Sequence, residues 1–249
     1  MIYGLWLSAA GLQVNEHRQA VLANNLANVE TTGFKQDLVV LRERATESKT
    51  WAGSMGLRHP VLDRLGGGTF VGPSYTDFSQ GSISQSDNPL DVAIVGSGFF
   101  TIEAGGRRYY TRDGAFSLDS QGRLVTARGE LVLDDQGQPI NLPNGAAARI
   151  DESGRVWADK AVVGRLGLVD FADPHRLVKV GQNRFDGRFA QPAAFGGQLR
   201  VGALENSTVG AIENLARFIE ASRAYQLNAQ MISLQDGMLG RAVNDIARL

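Results

Sequence analysis

A heptad stripe near one end of the chain restricts the fold more than any other feature of the sequence. From Leu215 onward, mostly apolar positions recur at alternating steps of three and four residues, and every second one is large. The stripe consists of Leu215, Phe218, Ser222, Tyr225, Ala229, Ile232, Asp236, Leu239, Val243 and Ile246. This pattern is typical of a coiled-coil helix. A helix of about 40 residues is roughly 60 Å long, so it is expected to need a partner along its length.

A second, narrower stripe at the other end of the chain is the expected partner. It comprises Tyr3, Leu7, Ala10, Val14 and Val21, and it continues at neighbouring angles through Leu22, Leu26 and Val29. The helix signals stop at Thr31-Thr32-Gly33, where β-branched residues and a glycine favour a break. The sequence therefore predicts a coiled-coil pair of long N- and C-terminal helices that also forms an assembly surface.

Composition narrows the class of protein. A chain of 249 residues that is 43% hydrophobic can bury a sizeable core, and its formal net charge of −1 does not predict a nucleic-acid partner. The absence of cysteine excludes disulfides and thiolate metal ligands. No apolar run approaches the roughly 18 residues of a membrane span. Because the first basic residue is Arg18, the N-terminal stretch does not resemble a cleaved signal peptide.

The middle of the chain is predicted to be all-β. Short apolar runs begin after Gly81, and three segments between them repeat the formula Asp-x-x-Gly. These segments are Asp119–Gly122, Asp134–Gly137 and Asp151–Gly154. Each fits a hairpin turn with aspartate at the first position and a glycine of positive φ at the end. The spacing of oxygen ligands in calcium loops is absent, so the turns do not predict a metal site.

No set of residues predicts catalysis or cofactor binding. The histidines, His17, His59 and His175, lack metal-ligand spacing. The triple glycine at 66–68 is not followed by the Lys-Ser/Thr of a phosphate loop, and Gly96-x-Gly98 precedes a strand where a dinucleotide site needs a helix. The sequence therefore predicts neither an enzyme nor a cofactor or metal site.

Several strings resemble one known family. The segment 23–35, Ala-Asn-Asn-Leu-Ala-Asn-Val-Glu-Thr-Thr-Gly-Phe-Lys, resembles the N-terminal signature of the bacterial flagellar rod and hook family, the axial proteins of the basal body. Segments 202–209 and 223–228 resemble its C-terminal motifs, although Thr208 stands where the family usually has Asn. Segments 89–100 and 110–116 resemble its central strand motif and the turn that follows. Together these resemblances cover nearly the whole chain.

The resemblance implies a structural subunit of the flagellar rod, most like the proximal rod protein, which polymerises into the drive shaft from motor to hook. It implies copies of itself, other rod proteins and the flagellar type III export apparatus as partners, and a periplasmic rod location reached without a cleaved signal peptide. The expected fold is mixed α and β, with residues 1–35 and 198–249 as axial helices, 36–80 as an extended connection and 81–197 as a β-rich outer domain. The expected assembly residues are Asn24, Asn25, Leu26, Asn28, Leu215, Phe218, Tyr225, Ile232, Leu239 and Ile246.

Three alternatives remain at the level of sequence. One is a distal rod or hook-type axial subunit of the same family. Another is a β-rich module that binds or hydrolyses cell-wall polymers, which a concave acidic or aromatic groove in the β domain would favour. The third is an amphipathic-helix membrane protein, which is disfavoured because acidic residues balance the arginines of the C-terminal helix.

Overall fold

The computed structural model describes residues 2–45, 66, 68–143, 145–181 and 183–246. The chain divides into two compact units. We call the first, formed by Met1–Ala27, Asp37–Tyr75 and Gly210–Leu249, the helical unit. The second, formed by Asn28–Gln36 and Thr76–Val209, is called the β unit.

Two long helices dominate the helical unit. Helix α1 spans Ile2–Ala27 and helix α2 spans Ala211–Ile246, which confirms the predicted pair of helices around a β-rich middle. Four short strands accompany them: β1 (Asp37–Leu38), β2 (Leu41–Glu43), β3 (Thr69–Val71) and β4 (Tyr75–Thr76), the last of which reaches the junction with the β unit. Strands β2 and β3 pair antiparallel, and β3 packs against α1.

Helix α1 ends earlier than the predicted break at Thr31–Gly33. Its last residue is Ala27, and the next residues form turns in which the Thr31 hydroxyl donates to Asn28 Oδ1 at 3.1 Å. Gly33 then takes a φ of 64°, a conformation that costs little only without a Cβ. A Cβ at Gly33 would also lie 2.4 Å from the backbone carbon of Arg112. The turn therefore requires glycine both for its backbone angle and for its space.

The β unit contains sixteen strands among the described residues. They are β5 (Ile83–Gln85), β6 (Val92–Val95), β7 (Phe99–Ala104), β8 (Arg107–Thr111), β9 (Phe116–Leu118), β10 (Leu124–Thr126), β11 (Leu131–Val132), β12 (Ala148–Ile150), β13 (Arg155–Ala158), β14 (Ala161–Arg165), β15 (Leu168–Phe171), β16 (Val178–Lys179), β17 (Phe185–Asp186), β18 (Pro192–Ala193), β19 (Gln198–Val201) and β20 (Ala203–Glu205). A 3-10 turn, Pro174–Arg176, precedes β16.

Antiparallel pairing organises these strands into sheets. The largest sheet runs in the order β16-β17-β8-β7-β11-β10-β9, and β15 pairs with both β7 and β18. Strands β12, β13 and β14 form a separate sheet. The last two strands before α2 return to early ones, because β19 pairs with β6 and β20 pairs with β5. The chain that leads into α2 is therefore an integral part of the β unit.

The three predicted Asp-x-x-Gly turns are confirmed. In each of them the glycine N–H donates to the aspartate carbonyl, at 2.9 to 3.1 Å, and φ of the glycine lies between 76° and 80°. The aspartate Oδ1 also accepts N–H groups from the following residues, as Asp119 does from Gln121 and Arg123. These bonds explain why aspartate opens every turn. Hydrogen bonds from Arg123 to Asp119 lower the pKa of that carboxyl below its usual range.

The core of the β unit lies in two hydrophobic clusters. The larger gathers inward side chains of many strands, among them Ile94, Phe100, Leu124 and Val156. The smaller is aromatic, with Phe99 and Phe185 packed at a ring distance of 5.7 Å and Phe171 beside them. Within the described residues, no helix is long and apolar enough to cross a membrane and no cluster of side chains offers metal ligands.

Candidate assembly surface

Small residues on α1 let the two helices approach closely. A Cβ at Gly11 would lie 2.9 Å from Asn228 Oδ1, and a Cβ at Gly4 would lie 3.1 Å from Gln235 Nε2. One heptad before Asn228, toward the N-terminus of α2, the carbonyl of Ala221 accepts a hydrogen bond from the Gln19 side chain at 3.3 Å. We call the face of α2 that meets α1 the inner seam. It is lined in part by amides and small side chains, so its contacts are closer and more polar than the predicted apolar stripe.

Six of the ten positions of the predicted stripe are half-buried on the inner seam. The large positions Phe218, Tyr225, Ile232 and Leu239 are half-buried, whereas the fifth, Ile246, has a side chain outside the described residues. Of the alternate positions, Ser222 and Ala229 are half-buried as well, whereas the other three are exposed. Leu215 is 46% exposed, Val243 is 64% exposed and Asp236 is exposed, while the buried or half-buried positions beside the alternate positions are Asn214, Ala221, Asn228, Gln235 and Ala242. A search for large apolar residues passes over these positions, because they are alanines or carry amide side chains.

The predicted N-terminal residues fall in two places. Asn25 is 1% exposed and bonds the backbone of Asp37 twice, donating to its carbonyl at 2.8 Å and accepting its N–H at 3.0 Å. Asn24 is exposed and Leu26 is half-buried at the end of α1. Asn28 belongs to the β unit, where it accepts the Thr31 hydroxyl. The burial of Asn25 is therefore explained by hydrogen bonds within the chain. The assembly role of all four residues stays a prediction.

A second apolar face of α2 is exposed and has no cover among the residues that the structure describes. Leu227, Met231, Leu234 and Met238 are 62%, 46%, 58% and 46% exposed, and their spacing of three and four residues places them on one face. We call these four residues the outer stripe. Isolated exposed apolar residues are ordinary on protein surfaces, but a contiguous row of them marks an interaction site. The outer stripe is therefore the clearest candidate for an assembly surface on the helical unit.

Three buried charges meet inside the β unit, and we call Lys35, Arg112 and Glu205 the ionic cluster. Lys35 Nζ lies 2.6 Å from Glu205 Oε1, and both side chains are fully buried. Arg112 Nη1 lies 3.4 Å from Glu205 Oε2, and the arginine side chain is 4% exposed. One carboxylate therefore balances two cations. A buried charge that loses its partner costs several kcal/mol, so the cluster depends on Glu205.

Backbone groups complete the shell around the ionic cluster. Lys35 Nζ donates to the carbonyl of Ser79 at 2.6 Å, and Gly81 N–H donates to Glu205 Oε1 at 2.8 Å. Arg112 Nη2 donates to the carbonyl of Gly96 at 2.9 Å, whereas its Nε has no partner among the described residues. Burial lowers the pKa of Lys35 and of Arg112, and the carboxylate of Glu205 opposes both shifts.

The ionic cluster lies where the chain enters and leaves the β unit. Gly33 N–H donates to the carbonyl of Glu205 at 2.7 Å, and Thr208 N–H donates to the carbonyl of Phe34 at 3.0 Å. The Thr208 hydroxyl accepts the N–H of Gln36 at 2.9 Å, so threonine makes a hydrogen bond at the position where the family usually has asparagine. The segment after α1 and the segment before α2 are thus held side by side.

Sequence reasoning missed the ionic cluster, although each member lies in a string that had been singled out. Lys35 closes the segment 23–35, Arg112 lies in 110–116 and Glu205 lies in 202–209. Three strings far apart in the chain therefore converge on one point. Each string contains a charged residue, and this was the only feature of the sequence that pointed to the cluster. Charge alone does not show which residues contact one another.

The ionic cluster predicts where the β unit can be cut. A fragment of residues 28–209 retains Lys35, Arg112 and Glu205 and is expected to unfold cooperatively. A fragment of residues 81–197, the predicted outer domain, lacks Glu205 as the ion-pair partner of Arg112, so we expect it to be less stable by at least about 3 kcal/mol. Urea denaturation of both fragments measures the difference. Equal stability would mean that the terminal segments contribute little to the β unit.

The β unit also has a concave aromatic surface. A cavity of about 270 Å³ is lined by Phe78, Phe99 and Phe171 together with Asp170. The rings pack edge to face on one another, and Asp170 accepts hydrogen bonds from the Ser97 hydroxyl and the Phe171 N–H. Its carboxylate is thus already engaged, and the rings belong to the aromatic core.

Comparison with known proteins identifies relatives over the full length. Residues 8–35 match the flagella basal body rod protein family, residues 93–158 the D1 domain of the flagellar hook protein FlgE/F/G, and residues 200–245 the C-terminal region of flagellar basal body rod FlgEFG proteins. The chain is 34% identical to the flagellar basal-body rod protein FlgG of Buchnera aphidicola subsp. Schizaphis graminum, over 96% of this chain and 98% of the relative. It is 32% identical to FlgG of Borreliella burgdorferi, over 98% of both chains. It is 35% identical to the basal-body rod protein FlgF of Caulobacter vibrioides, over 92% of this chain and 91% of the relative.

Proposed function

This chain belongs to the flagellar basal-body rod and hook family, and from that membership we propose that it is a structural subunit of the rod. Subunits polymerise into the shaft that transmits torque from motor to hook. The observation that carries the proposal is the outer stripe, an apolar row that lies about 110° around the axis of α2 from the side occupied by α1. Burial of such a row in contacts between subunits stabilises a polymer by roughly 25 cal/mol per Å² of apolar area.

The geometry of the helical unit suits an open array. The outer stripe and the face formed by α1 are different surfaces, so a contact between one subunit's stripe and another part of its neighbour is heterologous. Heterologous contacts that do not close generate helical assemblies. The predicted assembly residues at 24–28 and along the inner seam remain part of this proposal, as does the division into axial helices, connection and outer domain at residues 35, 80 and 197.

The position in the rod, the neighbouring subunits and the export route are also proposals. We place the subunit in the proximal part of the rod, within the periplasm, with copies of itself and other rod proteins as neighbours. Export through the flagellar type III apparatus, without a cleaved signal peptide, supplies it to the growing tip. A non-enzymatic role fits a family of structural proteins. A module that binds cell-wall polymers is not favoured, because the similarity to rod proteins extends through both helices.

A single exposed residue tests the proposed function. Leu234→Glu places a charge on the outer stripe and is expected to prevent rod formation and swimming, because every subunit repeats the defect. The free energy of unfolding of the purified subunit, measured by thermal denaturation, should change by less than about 0.5 kcal/mol, since Leu234 is 58% exposed. The readouts are swimming and electron microscopy of basal bodies from a strain that relies on the variant.

Val162→Glu is the matched control. Val162 is 48% exposed on β14 of the β unit, and its replacement is expected to leave rods intact. Normal rods from Leu234→Glu would exclude the outer stripe as an assembly surface. An equal loss from Val162→Glu would show that assembly is sensitive to any added surface charge.

A further inference from the structure

We propose that free subunits associate through the outer stripe as a two-fold, antiparallel pair of α2 helices, so that the partner is a second copy of this chain. The pair is distinct from the proposed rod contacts, because a two-fold interface closes on itself and an open array does not. It uses the same apolar residues and therefore covers them before polymerisation. The order of charges and apolar side chains along one face of α2 favours such a pair.

The outer stripe is flanked by opposite charges on the same face. At 100° per residue, Glu220, the four stripe residues and Arg241 fall within a window of about 80°. Glu220 lies toward the N-terminal end of the helix and Arg241 toward its C-terminal end, and both side chains are exposed. Within the described part of the chain, neither of them makes an ion pair, whereas Glu213 and Arg217 on the same helix bond each other at 2.6 Å. The two flanking charges are therefore available to a partner.

The spacing of these residues is symmetric. Leu227 and Leu234 are equally far from a point between Gln230 and Met231, and so are Glu220 and Arg241. A two-fold axis at this point in an antiparallel pair sets Leu227 against Leu234 of the second copy. The same operation sets Glu220 against Arg241 at both ends. In a parallel pair in register, Glu220 would face Glu220, and like charges would oppose association.

The two remaining contacts of the stripe are compatible with this arrangement. Met231 falls opposite Gln230 of the second copy, beside the two-fold axis. Met238 falls opposite Arg223 of the second copy, where the apolar stem of the arginine packs on the thioether while the guanidinium stays in water. The span between the two flanking charges is about 31 Å, so two single helices bury less than the roughly 800 Å² per partner of a stable complex. The pair is therefore expected to be weak and dependent on concentration.

The association is tested by the mass of the full-length chain in solution. Sedimentation is expected to give a monomer at about 1 µM and an increasing fraction of dimer toward about 300 µM. Glu220→Arg or Arg241→Glu alone should weaken dimerisation by about tenfold, because two equivalent ion pairs are lost per dimer. The double variant Glu220→Arg/Arg241→Glu restores both pairs and should return to the affinity of the unmodified chain. Glu152→Arg, at an exposed turn of the β unit, is the control for added charge.

Cysteine crosslinking reports the direction of the helices, and the chain has no cysteine of its own. Leu227→Cys and Leu234→Cys chains are expected to crosslink when mixed and not when kept apart, because identical positions are about 10 Å apart along the axis. Self-crosslinking of either variant would indicate a parallel pair and overturn the proposal. So would a monomer at all concentrations, a larger polymer, or a double charge variant as weak as the single ones. None of these outcomes bears on rod formation by Leu234→Glu, which is scored in cells.

Discussion

Glu205→Gln is expected to destabilise the β unit by about 3–5 kcal/mol. The substitution keeps the shape of the side chain and an oxygen that accepts the N–H of Gly81, but it removes the carboxylate that faces Lys35 and Arg112. Two buried cations then lose the only carboxylate that forms an ion pair with them among the described residues. The free energy of unfolding from urea denaturation, followed by circular dichroism of the β unit, measures the loss.

A substitution at the other end of the pair separates charge balance from hydrogen bonding. Lys35→Met removes one cation and leaves Arg112 and Glu205 as a balanced pair, so we expect it to cost less than Glu205→Gln. Glu152→Gln, at an exposed turn, should stay within about 0.5 kcal/mol. If Lys35→Met proves as costly as Glu205→Gln, the hydrogen bond from Lys35 to Ser79 matters more than the balance of charge.

Ile232→Asp is expected to separate the helices of the helical unit. Ile232 is half-buried on the inner seam, where loss of its side chain costs about 1–3 kcal/mol and a carboxylate among apolar neighbours adds to that cost. Hydrogen exchange should show lost protection along both α1 and α2. The β unit should melt almost unchanged, because its core contains none of these residues. In cells the variant should fail to build rods, since each subunit carries the same defect.

The adjacent residue is the control for this effect. Ser233 is exposed, so Ser233→Asp adds the same charge at almost the same place in the helix without entering the inner seam. It should retain the exchange protection of both helices. Similar loss of protection in the two variants would mean that a charge anywhere in this turn of α2 disrupts it, and would place the seam elsewhere.

The inner seam shows which buried positions a pattern of apolar residues can predict and which it cannot. Phe218, Tyr225, Ile232 and Leu239 are half-buried, because large apolar side chains at heptad spacing bury themselves wherever the helix finds a partner. Their role in assembly stays a prediction. Leu215, Asp236 and Val243 were predicted on the same seam and lie outside it. The buried or half-buried residues beside them are Asn214, Gln235 and Ala242. At Gln235 the facing residue of α1 is Gly4, which leaves room for the amide side chain.

By itself the sequence determined the elements whose causes are local. The two helices follow from periodicity, the Asp-x-x-Gly turns from a side-chain acceptor and a positive φ, and the family from strings of adjacent residues. Only the tertiary structure decided which distant residues meet. Lys35 and Glu205 are 170 positions apart, and no periodicity or propensity links them. Their pairing arises because β20 folds back beside β5 and the turn after α1 lies against β20, which buries the two charges at the same point.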